Sequence, residues 1–226
     1  ALYEEALQQD HPGKVEGNAR LRIEFQKARI LTELGEVDRA APVWKKLAEQ
    51  REVKDIAREA ALKLAEVVDV QHAGRWFQVA LDLCSGGDLC SYVHFKRAWL
   101  IKQSSKNALA TDEAIAEIEL ALFDSKGQIR EESLRDYLVF LGERGASGKD
   151  LATTIDKVDS LGKKLNRSHL IGDLAESYFA AGNKASGTVV LAQAQRFQPS
   201  FVRLCRLTEE QYGARDWDAF RLSLDD

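Results

Sequence analysis

Few stretches of this 226-residue sequence gather residue types that do chemistry. The nearest is Gly142-Glu143-Arg144-Gly145-Ala146-Ser147-Gly148-Lys149, which has the ingredients of a phosphate-cradling loop. In such a loop backbone amides wrap phosphate oxygens, a lysine reaches the outer phosphates and a following Ser or Thr holds magnesium. Here five residues separate Gly142 from Gly148 where four are required, and Asp150 stands where the hydroxyl belongs. The run before it has helical spacing, where a strand should lead in. The stretch therefore reads as a link between two helices.

The four histidines, His11, His72, His94 and His169, fall in separate helices or loops. No HExxH pattern, serine elbow or paired-carboxylate motif accompanies them. His94 shares a helix with Tyr92 and Phe95 and reads as a structural or surface group. No catalytic residue, metal ligand set or cofactor is expected, and the chain reads as a non-enzyme.

Three cysteines cannot form a closed disulfide framework. Cys84 and Cys90 flank the turn Ser85-Gly86-Gly87-Asp88-Leu89, a spacing that fits no common zinc pattern. They read as buried free thiols at helix ends, which leans towards a reducing compartment. In an oxidising compartment the pair could bridge instead, provided their Cα atoms lie within about 7 Å.

The elements that would position these residues are helices. Charge is high but balanced, with a net of −4, which argues against a general nucleic-acid binder. No apolar stretch is long enough to span a bilayer, and no signal peptide opens the chain. Only three prolines occur, which suits long helices. There is no methionine, as in an excised piece of a longer protein, or in a transcription from which methionines were dropped.

The strongest pattern runs from Ser168 to Phe201. Leu174, Ala175 and Tyr178 form one apolar stripe, Gly182-Asn183 breaks it, and Gly187, Leu191 and Ala194 form a second before Pro199. This is an αα-hairpin in which small residues allow close approach. The spacing of Gly182, Gly187, Leu191 and Ala194 returns at Gly35, Ala40, Trp44 and Leu47, after a long helix carrying Leu21, Phe25, Ala28 and Leu31. Looser pairs fill the interval: 56–70 with 76–83 across a break at Gly74, 89–101 with 114–123, and 129–141 with 151–165. Residues 104–112 form an unusually long link, with Thr111 or Asp112 as the helix cap. Residues 201–212 and 216–224 begin one more hairpin, and 1–9 resemble the second half of another.

This pattern resembles the tetratricopeptide repeat, whose period is about 34 residues. The resemblance implies an all-α, right-handed superhelical solenoid of antiparallel helical hairpins. About five complete hairpins are expected, with partial ones at the ends, in a single repeat domain over residues 1–226. It also implies a protein-protein interaction module or scaffold that binds a partner segment in its concave groove. A ligand- or peptide-sensing regulatory domain controlling an attached output is the alternative. In this family the first helix of each pair lines the groove. That projection places Arg22, Phe25, Gln26 and Arg29 inward, then Tyr92, Phe95, Lys96, Trp99 and Lys102, then Arg135. Aromatics beside cations suit an acidic protein or peptide partner. Packing of Phe95 and Trp99 against a neighbouring helix is the competing reading. The asparagines of the family's chaperone-tail clamp are missing, so capture of a chaperone tail is not expected. Asp112, Glu113, Glu117, Glu119 and Asp124 make one helix strongly acidic; a solvated outer face is the first reading, a contact for a basic partner the second.

Overall fold

A computed structural model describes residues 17–105, 107–146 and 148–225. The expected half-hairpin over 1–9 lies outside the described residues. Those described form twelve α-helices and no strand. In chain order they are α1 (Gly17–Glu33), α2 (Val37–Ala48), α3 (Lys54–Val67), α4 (Val70–Asp82), α5 (Asp88–Ser104), α6 (Ala108–Asp124), α7 (Gly127–Arg144), α8 (Gly148–Leu165), α9 (Leu170–Ala180), α10 (Lys184–Phe197), α11 (Phe201–Gly213) and α12 (Trp217–Asp225). Short links join them, and sequential neighbours pack as hairpins in the manner of an all-α helical repeat solenoid. The chain divides into two compact units, one ending at Ser133 and one beginning at Leu134.

The two strongest sequence matches share one backbone device. The Gly35 amide bonds to the Thr32 carbonyl and the Glu36 amide to Leu31, at 3.0 and 2.9 Å. The Gly182 amide bonds to Phe179 and the Asn183 amide to Tyr178, at the same two distances. Both glycines adopt the left-handed conformation (φ +76° and +80°) that this helix-ending motif requires. Arg215 repeats it without glycine at φ +59°: its amide bonds to Tyr212, and that of Asp216 to Gln211, both at 3.0 Å. The last pair, α11 and α12, therefore turns as the first does, although its link carries no glycine at the turning position.

In the first unit the core gathers Ala28, Leu31, Trp44, Leu47, Leu62, Leu64, Trp76, Phe77 and Val93 around a run of buried alanines in α3. Fully buried Trp44 receives the edge of Phe25 at 4.9 Å between ring centroids, and its indole N–H donates to Thr32 Oγ1 at 2.9 Å. In the second unit Leu174, Ala175 and Tyr178 of α9 are fully buried and face Val190, Leu191 and Ala194 of α10. Gly187 sits against the Phe179 ring, where a Cβ would come within 2.9 Å. The small residues thus set the approach of α9 and α10.

Two boundaries and one cysteine pair differ from the sequence expectation. Gly74 does not break the chain; it lies inside α4, which starts earlier because the Asp69 carboxylate accepts from the Gln71 and His72 amides at 3.0 and 3.2 Å. The link after α5 is short, since Asn107 rather than Thr111 or Asp112 caps α6 by accepting from the Ala110 amide at 2.7 Å. Cys84 and Cys90 are not free thiols but a disulfide, with Cα atoms 5.8 Å apart. Gly86 and Gly87, at φ +99° and +87°, turn the chain tightly enough to bring them within bridging reach. Cys205 is the free cysteine, so the lean towards a reducing compartment loses its basis.

The phosphate-loop lookalike is the link between α7 and α8, as read from the sequence. Asn183 Nδ2 donates to the Gly142 carbonyl at 2.7 Å and Ser186 Oγ to that of Ala146 at 2.6 Å. Arg144 reaches Thr154 Oγ1 at 3.1 Å. These contacts staple the link onto its own unit.

Candidate partner-binding cleft

An open cleft of about 720 Å³ lies in the first unit between α3, the start of α4, and α5. Helical spacing on α5 builds one wall: Tyr92, Phe95, Lys96, Trp99 and Gln103 follow at three- and four-residue steps and so share a face. Ala65, Glu66 and Val68 form the facing wall, and Val70, Ala73 and Phe77 close the base. Small residues at 65 and 73 leave the space that the aromatic rings border.

The polar groups of the cleft are arranged as a chain. Lys63 Nζ donates to Glu66 Oε2 at 2.8 Å, and the Tyr92 hydroxyl donates to Glu66 Oε1 at 3.1 Å. Burial opposes the charge on Lys63, but the Glu66 hydrogen bond and charge outweigh it, with smaller help from Tyr92 and Glu59. Its pKa stands above the ordinary lysine value. Lys96 Nζ lies 5.1 Å from the Tyr92 ring centroid, a cation–π distance, and Tyr92 stacks on Phe95 at 6.5 Å. Glu66 is thus engaged from both sides, while Lys96 lies against an aromatic face with no carboxylate paired to it among the described residues.

The sequence-derived groove residues divide. Tyr92, Phe95, Lys96 and Trp99 come together in this cleft; Tyr92, Lys96 and Trp99 are half-buried, whereas Phe95 is 9 % exposed and serves as floor. Lys102 does not join them. Its Nζ reaches away from the cleft and donates to Thr111 Oγ1 of its hairpin partner α6 at 3.0 Å. Phe25 is half-buried against Trp44, so its ring serves the hairpin core rather than the cleft. Arg22 and Arg29 are exposed on α1, Arg29 pairing with Glu33 at 3.4 Å. Arg135 is exposed in the second unit, where its Nε lies 3.3 Å from Asp136. The sequence reading missed Glu66, because a lone glutamate within a buried alanine helix carries no local signal of a cross-helix tyrosine.

The histidines take up local partners. His94 Nδ1 lies 2.8 Å from Glu117, which Arg97 also approaches at 3.5 Å, and His72 and His169 pair with Asp69 and Asp173. Among the described residues no group of three or more His, Cys, Asp or Glu is placed to hold a metal ion, and no helix is long and apolar enough to cross a membrane. No family model matches the chain, and no curated protein matches it.

Proposed function

We propose that the chain is a non-enzymatic protein-interaction module of tetratricopeptide-like type, binding an extended or helical peptide in the α3–α5 cleft. The observation that carries this reading is the conjunction of an open cleft with half-buried Trp99 and Tyr92 and with Lys96 at its rim. Large amphipathic aromatics anchor partners because they bury much area at little entropic cost, and a neighbouring cation selects charge. With Glu66 already occupied by Lys63 and Tyr92, the charge presented to a ligand is that of Lys96. The fitting ligand has an apolar side chain for the cleft and a carboxylate for Lys96.

Peptide display against the folded protein tests this. Enriched peptides should pair an apolar residue with nearby Asp or Glu, and their affinity should fall with salt. Trp99→Ala should weaken them by about 2 kcal/mol, roughly thirtyfold, and Lys96→Gln by less. If folded Trp99→Ala and Lys96→Gln proteins bind the selected peptides as the wild type does, the cleft is not the binding site.

A further inference from the structure

We propose that the cavity between α10, α11 and α12 in the second unit is a small-molecule site, and that its ligand is an apolar carboxylic acid carrying one N–H or O–H donor. The cavity measures about 450 Å³. Ligand pockets run from about 300 to 1,000 Å³. Leu204, Leu207 and Gln211 follow at three- and four-residue steps and turn one face of α11 into its wall. Arg196 comes from α10, and Leu222 from α12.

The unusual residue is Gln211. The helix-ending turns put three positions in register, because the amide five residues on bonds back to Leu31 in the first hairpin, to Tyr178 in the α9–α10 pair and to Gln211 in the α11–α12 pair. All three side chains are buried. Leu31 and Tyr178 fill the position with hydrocarbon or a ring. At 211 stands a primary amide, 4 % exposed, whose Oε1 has no hydrogen-bond partner among the described residues. A buried carbonyl oxygen without a donor is unfavourable, and a ligand that brings an N–H or O–H relieves it. The last side-chain torsion of glutamine is broad, so the amide can turn that oxygen towards the cavity it lines.

The other lining residues complete the ligand's description. Leu204 and Leu207 give it an apolar bed, with exposed Leu222 at the mouth. Arg196 is exposed in the last turn of α10, and no carboxylate pairs with it among the described residues. A carboxylate on the ligand is the counter-ion that suits it. Gln195 does not compete for the ligand: its Oε1 accepts from the Ser200 amide at 2.9 Å, which fixes the α10–α11 link beside the cavity. Indole-3-propionate carries all three features, a ring for the leucines, an N–H for Gln211 and a carboxylate for Arg196. The site uses no residue of the α3–α5 cleft.

The test is calorimetric titration of the full chain with indole-3-propionate and two analogues. One is 3-(1-naphthyl)propionate, which lacks the N–H; the other is indole-3-propanol, which lacks the carboxylate. The indole acid should bind at millimolar concentration or below, and weaken with salt. The naphthyl acid should bind at least about tenfold more weakly. The alcohol should also bind more weakly, and without salt dependence. Gln211→Leu, matching the leucine in register at 31, should bring the indole acid down to the affinity of the naphthyl acid. Arg196→Gln should weaken the acid and leave the alcohol unchanged, and Trp99→Ala should alter neither. Melting curves establish that the variants are folded, and the wild-type ranking of the three compounds tests the site without them. A capped pentapeptide with Trp beside Asp offers the same groups on a backbone and should bind more weakly than the acid. No binding of the indole acid at millimolar concentration, equal affinity for the naphthyl acid, a folded Gln211→Leu protein that still prefers the indole, or tighter binding of the peptide would each overturn the proposal.

Discussion

Tyr178 is fully buried in the second unit, and among the described residues its hydroxyl has no hydrogen-bond partner. Burial pushes its pKa up, opposed by the charge of Arg144 and aided by that of Asp150. A buried hydroxyl without a partner costs about 1–3 kcal/mol, and phenylalanine fills nearly the same space without it. Tyr178→Phe should therefore stabilise the protein by about 1–2 kcal/mol at neutral pH. That corresponds to a rise in Tm of about 2–4 °C per kcal/mol if the chain melts as one unit. The pH dependence carries a definite sign. Below the unfolded value of about 10 the phenol is neutral in both states and has no effect on the slope. Above it the unfolded chain releases the proton while the native state holds it, so wild-type stability falls as pH rises. The phenylalanine variant lacks this loss, and the gap between the two proteins should widen from about pH 10 upward. Urea titrations of both at pH 7 and at steps to pH 11 measure it, the other tyrosines cancelling in the difference. A variant destabilised by more than about 1 kcal/mol at pH 7 would show that the hydroxyl is bonded in the native state, and parallel curves at high pH would show that it ionises there as readily as in the unfolded chain.

Thiol titration of denatured, unreduced protein should find one thiol per chain, Cys205, and three would dispose of the Cys84–Cys90 bridge. Reducing the bridge should lower stability by about 2 kcal/mol on the loop-entropy account for so short a loop. Gly142→Ala should destabilise by about 1–3 kcal/mol, since a Cβ there would sit 2.5 Å from the Ser177 carbonyl oxygen. An unchanged melt would mean that α7 and α9 part without cost.

The hairpin order was legible because both strong units announce themselves twice, by apolar stripes and by a glycine at the same Schellman turn. The weaker boundaries failed where the signal was a side-chain cap. Asp69 and Asn107 start their helices by accepting hydrogen bonds from first-turn amides, two and one respectively, and neither residue alters the apolar period. The Arg215 turn was hidden for the opposite reason: the backbone repeats, but the residue type does not. In α5 the sequence placed Tyr92, Phe95, Lys96 and Trp99 on one face, which follows from helical geometry alone. It could not assign Lys102, whose long side chain reaches back to Thr111 on α6. Phe25 lies half-buried against the partner helix's tryptophan, and its helical spacing looks alike whether the ring faces a groove or that tryptophan.

The packing of the third hairpin, α5 and α6, explains why neither helix shows a clean amphipathic stripe. α5 buries Cys90, Val93 and Ala98 and also contributes Phe95 to the cleft floor, so apolar residues surround much of its axis. α6 buries Ala114, Ile118 and Leu122 on one face and exposes Leu109, Leu120 and Phe123 on the opposite one. A helix apolar all round is ordinarily buried all round; here part of that surface remains open to solvent. The Cys84–Cys90 bridge bears on the candidate cleft. It fixes the first turn of α5 to the end of α4, and both helices contribute to its lining, so the bridge ties its base to one of its walls. Ordering a site in advance removes a cost that binding would otherwise carry.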